Sequence, residues 1–281
     1  MARTIAGFFA TLAVLGLAYG ALVAVNSRVK LDLGAGQEAP QDGSHVVAAT
    51  AALLALDPED VGRGERDVPF VPSGRRLRES TLRDGAAEVA ARVVMLVAPV
   101  HGRADAALAE ARAALTNGAS SEDAGRAVAR DALIRLNAHI ARGQTRLDTR
   151  ATALGVLLRA AAASCEGRSA ELAALAAKPS LLAPPGADAR MYQARGVAYG
   201  WLLIIRAALR DAPELADAQN VEAKIPIEAL ARAASRQPLL YFNGDASMPW
   251  APAHVSDAAA DFARAAAGAR ALAAAVEQPG D

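Results

Sequence analysis

The chain has 281 residues, of which 30 are basic and 30 are acidic, so its formal net charge is zero. A balanced charge lacks the basic surface that nucleic-acid binding requires, and we therefore predict no nucleic-acid partner. The single cysteine, Cys165, excludes an intrachain disulfide and a thiolate metal cluster.

An apolar segment near the N-terminus, Thr4–Val25 (TIAGFFATLAVLGLAYGALVAV), contains no charged side chain. As a helix it would be roughly 33 Å long, enough to cross the ~30 Å hydrocarbon core of a bilayer. We predict a single transmembrane helix, with residues 1–27 as membrane anchor and the lipid bilayer as the partner of residues 4–25. Two alternatives stay open. One is a signal peptide cleaved near Ala18-Tyr19-Gly20, although this apolar run is longer than the usual apolar region of a signal peptide. The other is a buried helix of a soluble core.

The charges that flank this segment bear on the side of the membrane that the rest of the chain occupies. Arg3 and the N-terminal amine lie on one side, and Arg28 and Lys30 lie on the other, so the positive-inside rule is close to a tie. A short N-terminal tail before a long C-terminal domain favours delivery of that domain to the outside. We predict a single-pass protein of the bacterial inner membrane with a periplasmic body, joined to the anchor by a flexible linker, residues 28–43.

Residues 44–281 are predicted to form an all-α soluble domain, a multi-helix bundle. Ser44 is a suitable N-cap for a first helix that ends near Leu56. A loop rich in proline, glycine and charge follows it, and Gly143 is a suitable C-terminal stop for a later helix. Three helices are expected between this loop and Gly143, over residues 80–98, 103–116 and 120–142.

The clearest helical pattern lies between residues 144 and 166. Apolar side chains recur there at spacings of three and four, which places them on one continuous face of a helix. Gly167 is expected to end this helix, and residues 169–178 are expected to form a separate short one. Because Cys165 lies on the apolar face, we interpret it as a small buried side chain and not as a reactive thiol. The face consists of Leu147, Ala151, Leu154, Leu158, Ala161 and Cys165.

Prolines and a glycine at residues 179–187 mark a possible internal boundary of the domain. A long helix is expected from Asp188, and it contains Gly196 and Gly200 at the spacing of a GxxxG motif. In lipid this motif favours dimerisation. Here the apolar run from Val197 to Ile205 is too short to span a bilayer, so we predict a close helix–helix crossing inside the bundle.

The last third of the chain contains the one segment that breaks the helical pattern, residues 237–255, for which we predict a loop or small hairpin. Pro213 and Pro226 are each expected in the first turn of a helix. The final helix is expected to start at Ser256 or Asp257 and to end before Pro279.

No residue pattern in the chain is typical of a known catalytic, cofactor or metal site, and we predict none. The four histidines lack the spacing of a metal-binding helix, and nucleophile-elbow, phosphate-loop and dinucleotide motifs are absent from the sequence. Only the 237–255 segment concentrates side chains that bind ligands, and loops on a helical scaffold often do so. The alternative is a structural loop that plugs the end of the bundle. The candidate binding loop comprises Tyr241, Asn243, Asp245, Trp250 and His254, together with Arg195.

Three stretches follow one another in an order that resembles a known family: LNAHIARGQTRLDTRATALGVLL from Leu136, YQARGVAYGWLLIIRAAL from Tyr192, and YFNGDASMPWAPAHVSDAAADFARA from Tyr241. The family is a proteobacterial group of membrane-anchored proteins known as domain of unknown function 2333. The strongest matches are Arg195-Gly196, Asn243-Gly244 and Ala251-Pro252 with His254. The family pattern has Pro-Asn-His where this chain has Pro252-Ala253-His254, which argues against chemistry by an asparagine there. The resemblance implies an N-terminal anchor and brings no activity, substrate or cofactor.

These observations together favour a non-enzymatic envelope protein that works by protein–protein contact. Its partner would be an unknown envelope protein or a second copy of the chain, and no cofactor is predicted. The alternative is a small-ligand binder or an enzyme that uses the 241–254 loop. Convergence of Arg195, Asn243, Asp245 and His254 on one open pocket would favour that alternative.

Overall fold

The computed structural model of the chain describes residues 14–16, 18–19, 31, 43–56, 75–100, 105–116, 123–177, 186–218, 220–236 and 254–278. Within these ranges, no helix combines the length and the apolar character that crossing a bilayer requires. The predicted anchor lies outside the described residues except for 14–16 and 18–19, which are helical. The anchor therefore stays a prediction.

The described residues form nine helices of six residues or more and no strand, so the all-α prediction is confirmed. The backbone pairing between Pro99 and Leu147 is an isolated bridge between two connections. The helices are α1 His45–Leu54, α2 Arg75–Leu96, α3 Ala106–Thr116, α4 Asp123–Ala141, α5 Ala151–Ala176, α6 Ala187–Asp211, α7 Pro213–Ala218, α8 Asn220–Ser235 and α9 His254–Glu277.

The long helix α6 is the centre of the bundle and crosses α2 with almost no space between the two backbones. A methyl group at Gly196 would overlap the carbonyl oxygen of Leu82, and one at Gly85 would overlap that of Gln193. One turn further on, a methyl at Gly200 would press on the side chain of Val89. The predicted close crossing through Gly196 and Gly200 is confirmed, and glycine is needed there because only its lack of a Cβ permits this approach.

Helix α5 confirms the predicted apolar face and corrects its limits. Leu154, Leu158, Ala161 and Cys165 are buried, as expected. The helix starts only at Ala151, because residues 146–148 pair with residues 98–100 instead. Gly167 does not end it, and the expected short helix over 169–178 is the second half of the same helix. Packing against α9 along the whole of α5 outweighs the cost of about 1 kcal/mol for one helical glycine.

Two further helix starts differ from the expectation. Pro226 is inside α8, which begins at Asn220, whereas Pro213 does occupy the first turn of α7. Helix α9 lies close enough to α8 that a methyl at Gly268 would contact the ring of Pro226, and this packing stabilises a helix that the proline would otherwise weaken. Helix α9 begins at His254, two or three residues before the expected start at Ser256 or Asp257, and Asp257 lies in the first turn where it suits the helix dipole.

One hydrophobic core connects helices from both sides of residues 179–187, from Val46 in α1 to Val276 in α9. A buried charge cluster lies beside it. The carboxylate of Asp261 in α9 is fully buried and accepts from Arg236 Nε at 2.8 Å, Arg264 Nη1 at 3.2 Å and Arg232 Nε at 3.3 Å. Three guanidinium groups offset the cost of burying one carboxylate.

Candidate functional site

A groove with a volume of about 300 Å³ opens at the end of the bundle where α1 begins, and we call it the end groove. Its volume is at the lower limit of ligand pockets in proteins. The walls are mainly apolar, from Leu96 and Val97 after α2 and Leu154 and Leu157 in α5. Val156, also on the wall, is 41% exposed. The polar lining groups are Ser44, Asp148, Thr149, Thr152 and Asp211.

Asp211, the last residue of α6, fixes the first turn of α1 at the edge of the end groove. Its carboxylate accepts hydrogen bonds from Ser44 Oγ at 2.6 Å, His45 N at 2.7 Å and Val46 N at 3.0 Å. His45 Nδ1 lies 2.8 Å from the same carboxylate. Ser44 N donates to the side chain of Asn137 at 2.7 Å. The carboxylate therefore satisfies backbone N–H groups that the start of a helix leaves without partners.

The connection between α4 and α5 forms the outer rim of the end groove. Asp148 accepts from Arg150 Nε at 2.9 Å and from Arg150 N at 3.0 Å. The side-chain hydrogen bonds from Arg150 lower the pKa of Asp148 to about 2. This aspartate is therefore a carboxylate at every physiological pH, and the strong pairing disfavours a role for it in proton transfer.

A second groove, which we call the side groove, lies between α1 and α4 and has a volume of about 290 Å³. Small side chains of α1 form its floor: Ala48, Ala51, Ala52 and Ala55. They recur at three- and four-residue spacing, so they face the same way along the helix. Ile134 of α4 stands on the rim with 55% of its surface exposed. The side groove thus has the shape and polarity that receive an amphipathic helix.

Of the residues predicted as a binding loop, Arg195 and His254 line neither groove, and the other four lie outside the described residues. Tyr241, Asn243, Asp245 and Trp250 lie outside them, so convergence of the six residues stays a prediction. His254 is the first residue of α9 and is half-buried. Arg195 precedes Asp211 by sixteen residues on α6, which places it about 24 Å along the helix axis.

Arg195 is only 1% exposed and connects α6 to α8. Its Nε donates to the carbonyl oxygen of Ala234 at 3.1 Å, near the C-terminus of α8. Its guanidinium carbon lies 4.9 Å from the ring centroid of Tyr192, and that of Arg78 in α2 lies 5.2 Å from the same ring. Arg195 therefore stabilises the packing of the bundle, through its cation–π contact with Tyr192 and its hydrogen bond to the C-terminal end of α8.

The histidines and the cysteine of the described residues give no metal site. His45 is paired with Asp211, and His139 Nδ1 lies 3.1 Å from Asp105. No group of three potential ligands converges anywhere in the described ranges. Cys165 is buried, and burial raises the pKa of its thiol to about 12, as its position on the apolar face had indicated.

Two groove residues carried no sequence signal strong enough to select them. Asp211 lies 167 positions from the Ser44 hydroxyl that it binds, and nothing local shows that pairing. Asp148 carries a weak signal, because an aspartate often accepts a hydrogen bond from the backbone N–H two residues later, which here is that of Arg150. That signal predicts a turn and gives no information about a cavity beside it.

Comparison with known proteins assigns no family: the chain matches no protein-family model, no curated protein and no solved structure. The resemblance to domain of unknown function 2333 therefore rests on the residues quoted for it. The two grooves and the apolar N-terminal segment are the features of the chain that bear on its function.

Proposed function

We propose that this chain is a single-pass protein of the bacterial inner membrane whose periplasmic helical body binds another envelope protein. The uncharged segment Thr4–Val25 supports the anchor, and the resemblance to domain of unknown function 2333 supports the same arrangement. The proposed role is non-enzymatic and consists of protein–protein contact.

The side groove is the observation that carries the binding role. Its alanine floor lets the backbone of an incoming helix approach closely, as small residues do in helix pairs. Ile134 lines the groove and is exposed, so its apolar side chain can contact the incoming helix. Ion pairs flank it, Arg130 with Asp131 at 2.8 Å and Arg135 with Glu110 at 2.6 Å. An apolar centre inside a charged rim is typical of protein interfaces.

The proposed partner element is one amphipathic helix, since the groove has room for the side chains of a single helix face. Such a helix places apolar residues at three- and four-residue spacing against the alanine floor. It belongs to another envelope protein or to a second copy of this chain. The surface that one helix covers is small, so the complex is expected to be transient in detergent.

The test places a photoreactive amino acid at Ile134 in the full chain, expressed in bacterial cells with a periplasm-specific reporter after Asp281. We expect an active reporter and one discrete crosslinked species from position 134. Val128 provides the matched control, because it lies on the same helix, is 45% exposed and does not line the groove. An Ile134→Glu chain is expected to lose the crosslinked complex with an unchanged thermal melt.

The outcomes separate the parts of the proposal. An inactive reporter contradicts the periplasmic location. Equal crosslinking from positions 128 and 134, or none from either together with a monomeric mass in mild detergent, contradicts binding in the side groove. A crosslinked mass of twice the chain identifies the partner as a second copy.

A further inference from the structure

The end groove lies where the body meets the chain that leads to the proposed anchor. Eighteen residues separate Val25 from Ser44, and Ser44 lines the groove. Leu31, six residues after Val25, is half-buried and packs against the core of the body. Six residues span at most roughly 20 Å, so the body must lie close to the membrane surface. This step rests on the proposed function, because it assumes that Thr4–Val25 spans the bilayer.

Three exposed residues line the end groove: Val156 is apolar, and Thr149 and Thr152 are polar. Val156 lines the groove from the second turn of α5 and is 41% exposed, while Leu154 and Leu157 beside it are buried in the wall. An apolar wall that opens outward marks a site for a protein or a lipid. The volume of about 300 Å³ suits one chain segment and is too small for a folded partner.

Three arginines on the α4–α5 connection favour a lipid as the occupant. Arg142, Arg146 and Arg150 are exposed and recur every four residues, while Leu147 and Asp148 between them line the groove. Arg150 binds Asp148, and Arg142 Nε donates to Gln144 Oε1 at 3.3 Å. In the described part of the chain, Arg146 has no carboxylate partner. Guanidinium groups match the geometry of phosphate oxygens, so this rim complements an anionic headgroup.

The acidic groups of the end groove do not oppose a phosphate strongly. The Asp148 carboxylate is neutralised by Arg150, and the Asp211 carboxylate is bonded to the first turn of α1 and to His45. Arg142 and Arg146 therefore give the rim an excess of positive charge, and Arg150, whose Nε and Nη2 hold Asp148, has Nη1 left to donate to a phosphate oxygen. Basic groups near an anionic leaflet are attracted to it over about one Debye length.

We propose that the end groove binds an anionic phospholipid of the surrounding bilayer, with an acyl chain against Val156 and the phosphate against Arg146 and Arg150. Occupancy would hold the body down on the membrane in one orientation. The side groove, on α1 and α4, would then be presented to partners at a fixed height above the bilayer.

The test attaches an environment-sensitive fluorophore to Val156→Cys in the full chain, reconstituted in nanodiscs. Buried Cys165 stays unlabelled near neutral pH, so one site reacts. The discs contain phosphatidylcholine alone or with phosphatidylglycerol, and some lipids carry a nitroxide on the acyl chain. We expect strong quenching at position 156 in anionic discs. Ser235→Cys is the control, since Ser235 is exposed near the Arg195 end of the bundle and should not be quenched.

Charge-reversal variants test the headgroup half of the proposal. Removing one arginine contact should lower the ratio of docked to undocked body about fivefold in anionic discs, and Arg146→Glu with Arg150→Glu should lower it further. Arg130→Glu, on the side groove, is the matched control and should leave quenching at position 156 unchanged.

The remaining outcomes overturn one hypothesis each. A chain that does not enter nanodiscs contradicts the proposed anchor. A chain that enters them without quenching at position 156 overturns the lipid inference and leaves the anchor intact. Quenching that is equal in neutral discs and insensitive to Arg146 and Arg150 overturns phosphate recognition. Fluorophore self-quenching between copies in one disc identifies a second chain in the groove and overturns the lipid inference.

Discussion

The two ends of α6 are built in opposite ways. Near its start, α6 meets α2 backbone to backbone through Gly85 and Gly196, and charged groups such as Arg195 are buried between helices. At its last turn, Ala208 and Asp211 face a groove of about 300 Å³ whose opposite wall includes Leu96 of α2. The same pair of helices is thus in close contact at one end and borders a cavity at the other.

This difference shows where the molecule is fixed and where it is open to a ligand. Close packing leaves no space for another molecule between the two backbones, and the guanidinium group of Arg195 lies over the ring of Tyr192 beside this crossing. At the groove end, hydrogen bonds donated by Ser44 Oγ and His45 N to the Asp211 carboxylate hold the helices in place and do not fill the space between them. In the part of the chain that the structure describes, the groove end has an open apolar surface and the crossing of α2 with α6 does not.

The largest expected effect comes from breaking the close crossing with Gly196→Ala. The new methyl overlaps the backbone of Leu82, so α2 and α6 must separate. We expect a loss of about 3 kcal/mol in the free energy of unfolding, or roughly 6–12 °C in Tm. Thermal melts followed by circular dichroism in mild detergent measure this change.

Gly167→Ala is the matched control for the crossing. Gly167 is in the interior of α5, and no neighbouring atom lies within 4 Å of the position that a Cβ would take. We expect this variant to be more stable by up to about 1 kcal/mol, because alanine favours the helix. If both alanine variants lower Tm, the close contact at Gly196 is not what makes its substitution destabilising.

The second largest effect should come from Asp211→Ala at the groove end. The variant removes the acceptor for Ser44 Oγ and for two backbone N–H groups of α1. We expect a loss of about 2 kcal/mol, with faster hydrogen exchange confined to the first turns of α1. Asp211→Asn keeps one acceptor oxygen and should lose less.

Glu110→Ala is the comparison for this prediction, since it removes an ion pair with Arg135 in which both side chains are 49% exposed. Exposed pairs contribute between zero and about 1 kcal/mol. An Asp211→Ala variant that melts no earlier than Glu110→Ala would show that hydrogen bonds do not hold the groove end together.

The parts of the fold that follow from local patterns were predictable from the sequence. Ser44 caps α1, and Leu154, Leu158 and Cys165 are buried on one face, because capping and periodicity depend on residues a few positions apart. Gly196 was predictable from its spacing to Gly200. The predictions that Gly167 ends a helix and that Pro226 lies in a first turn were wrong. Packing against α9 decides whether a helix continues through these residues, and that packing involves residues distant in the sequence.

The candidate sites were less predictable than the fold. The end groove depends on Asp211 reaching Ser44 across 167 positions and on bridges between residues 98–100 and 146–148. No periodic pattern encodes such pairings. Arg195 and His254 were predicted as members of the binding loop. The structure places Arg195 in a packed interior, where it donates a hydrogen bond to the end of α8. Composition identifies residues that can bind ligands but not the volume that they enclose.

The smallest effect, and the one that tests the rim of the end groove, concerns Asp148→Asn. The folded protein holds the pKa of Asp148 at about 2, below the ordinary value near 3.9. Such a group stabilises the fold fully above about pH 4 and loses its contribution as the pH falls toward 2. The partner Arg150 is largely exposed, so salt screens the pair, and we expect the variant to lower Tm by only about 1–2 °C at pH 6.

That difference in Tm between the original chain and Asp148→Asn should shrink as the pH falls from 4 to 2, and it should also shrink in high salt. Thermal melts at a series of pH values check both trends. A difference that grows on acidification would mean that the protonated carboxyl, and not the carboxylate, is the form stabilised at the rim. The rim would then be more positive than the paired structure implies, because a neutral Asp148 would leave the charge of Arg150 without a carboxylate to offset it.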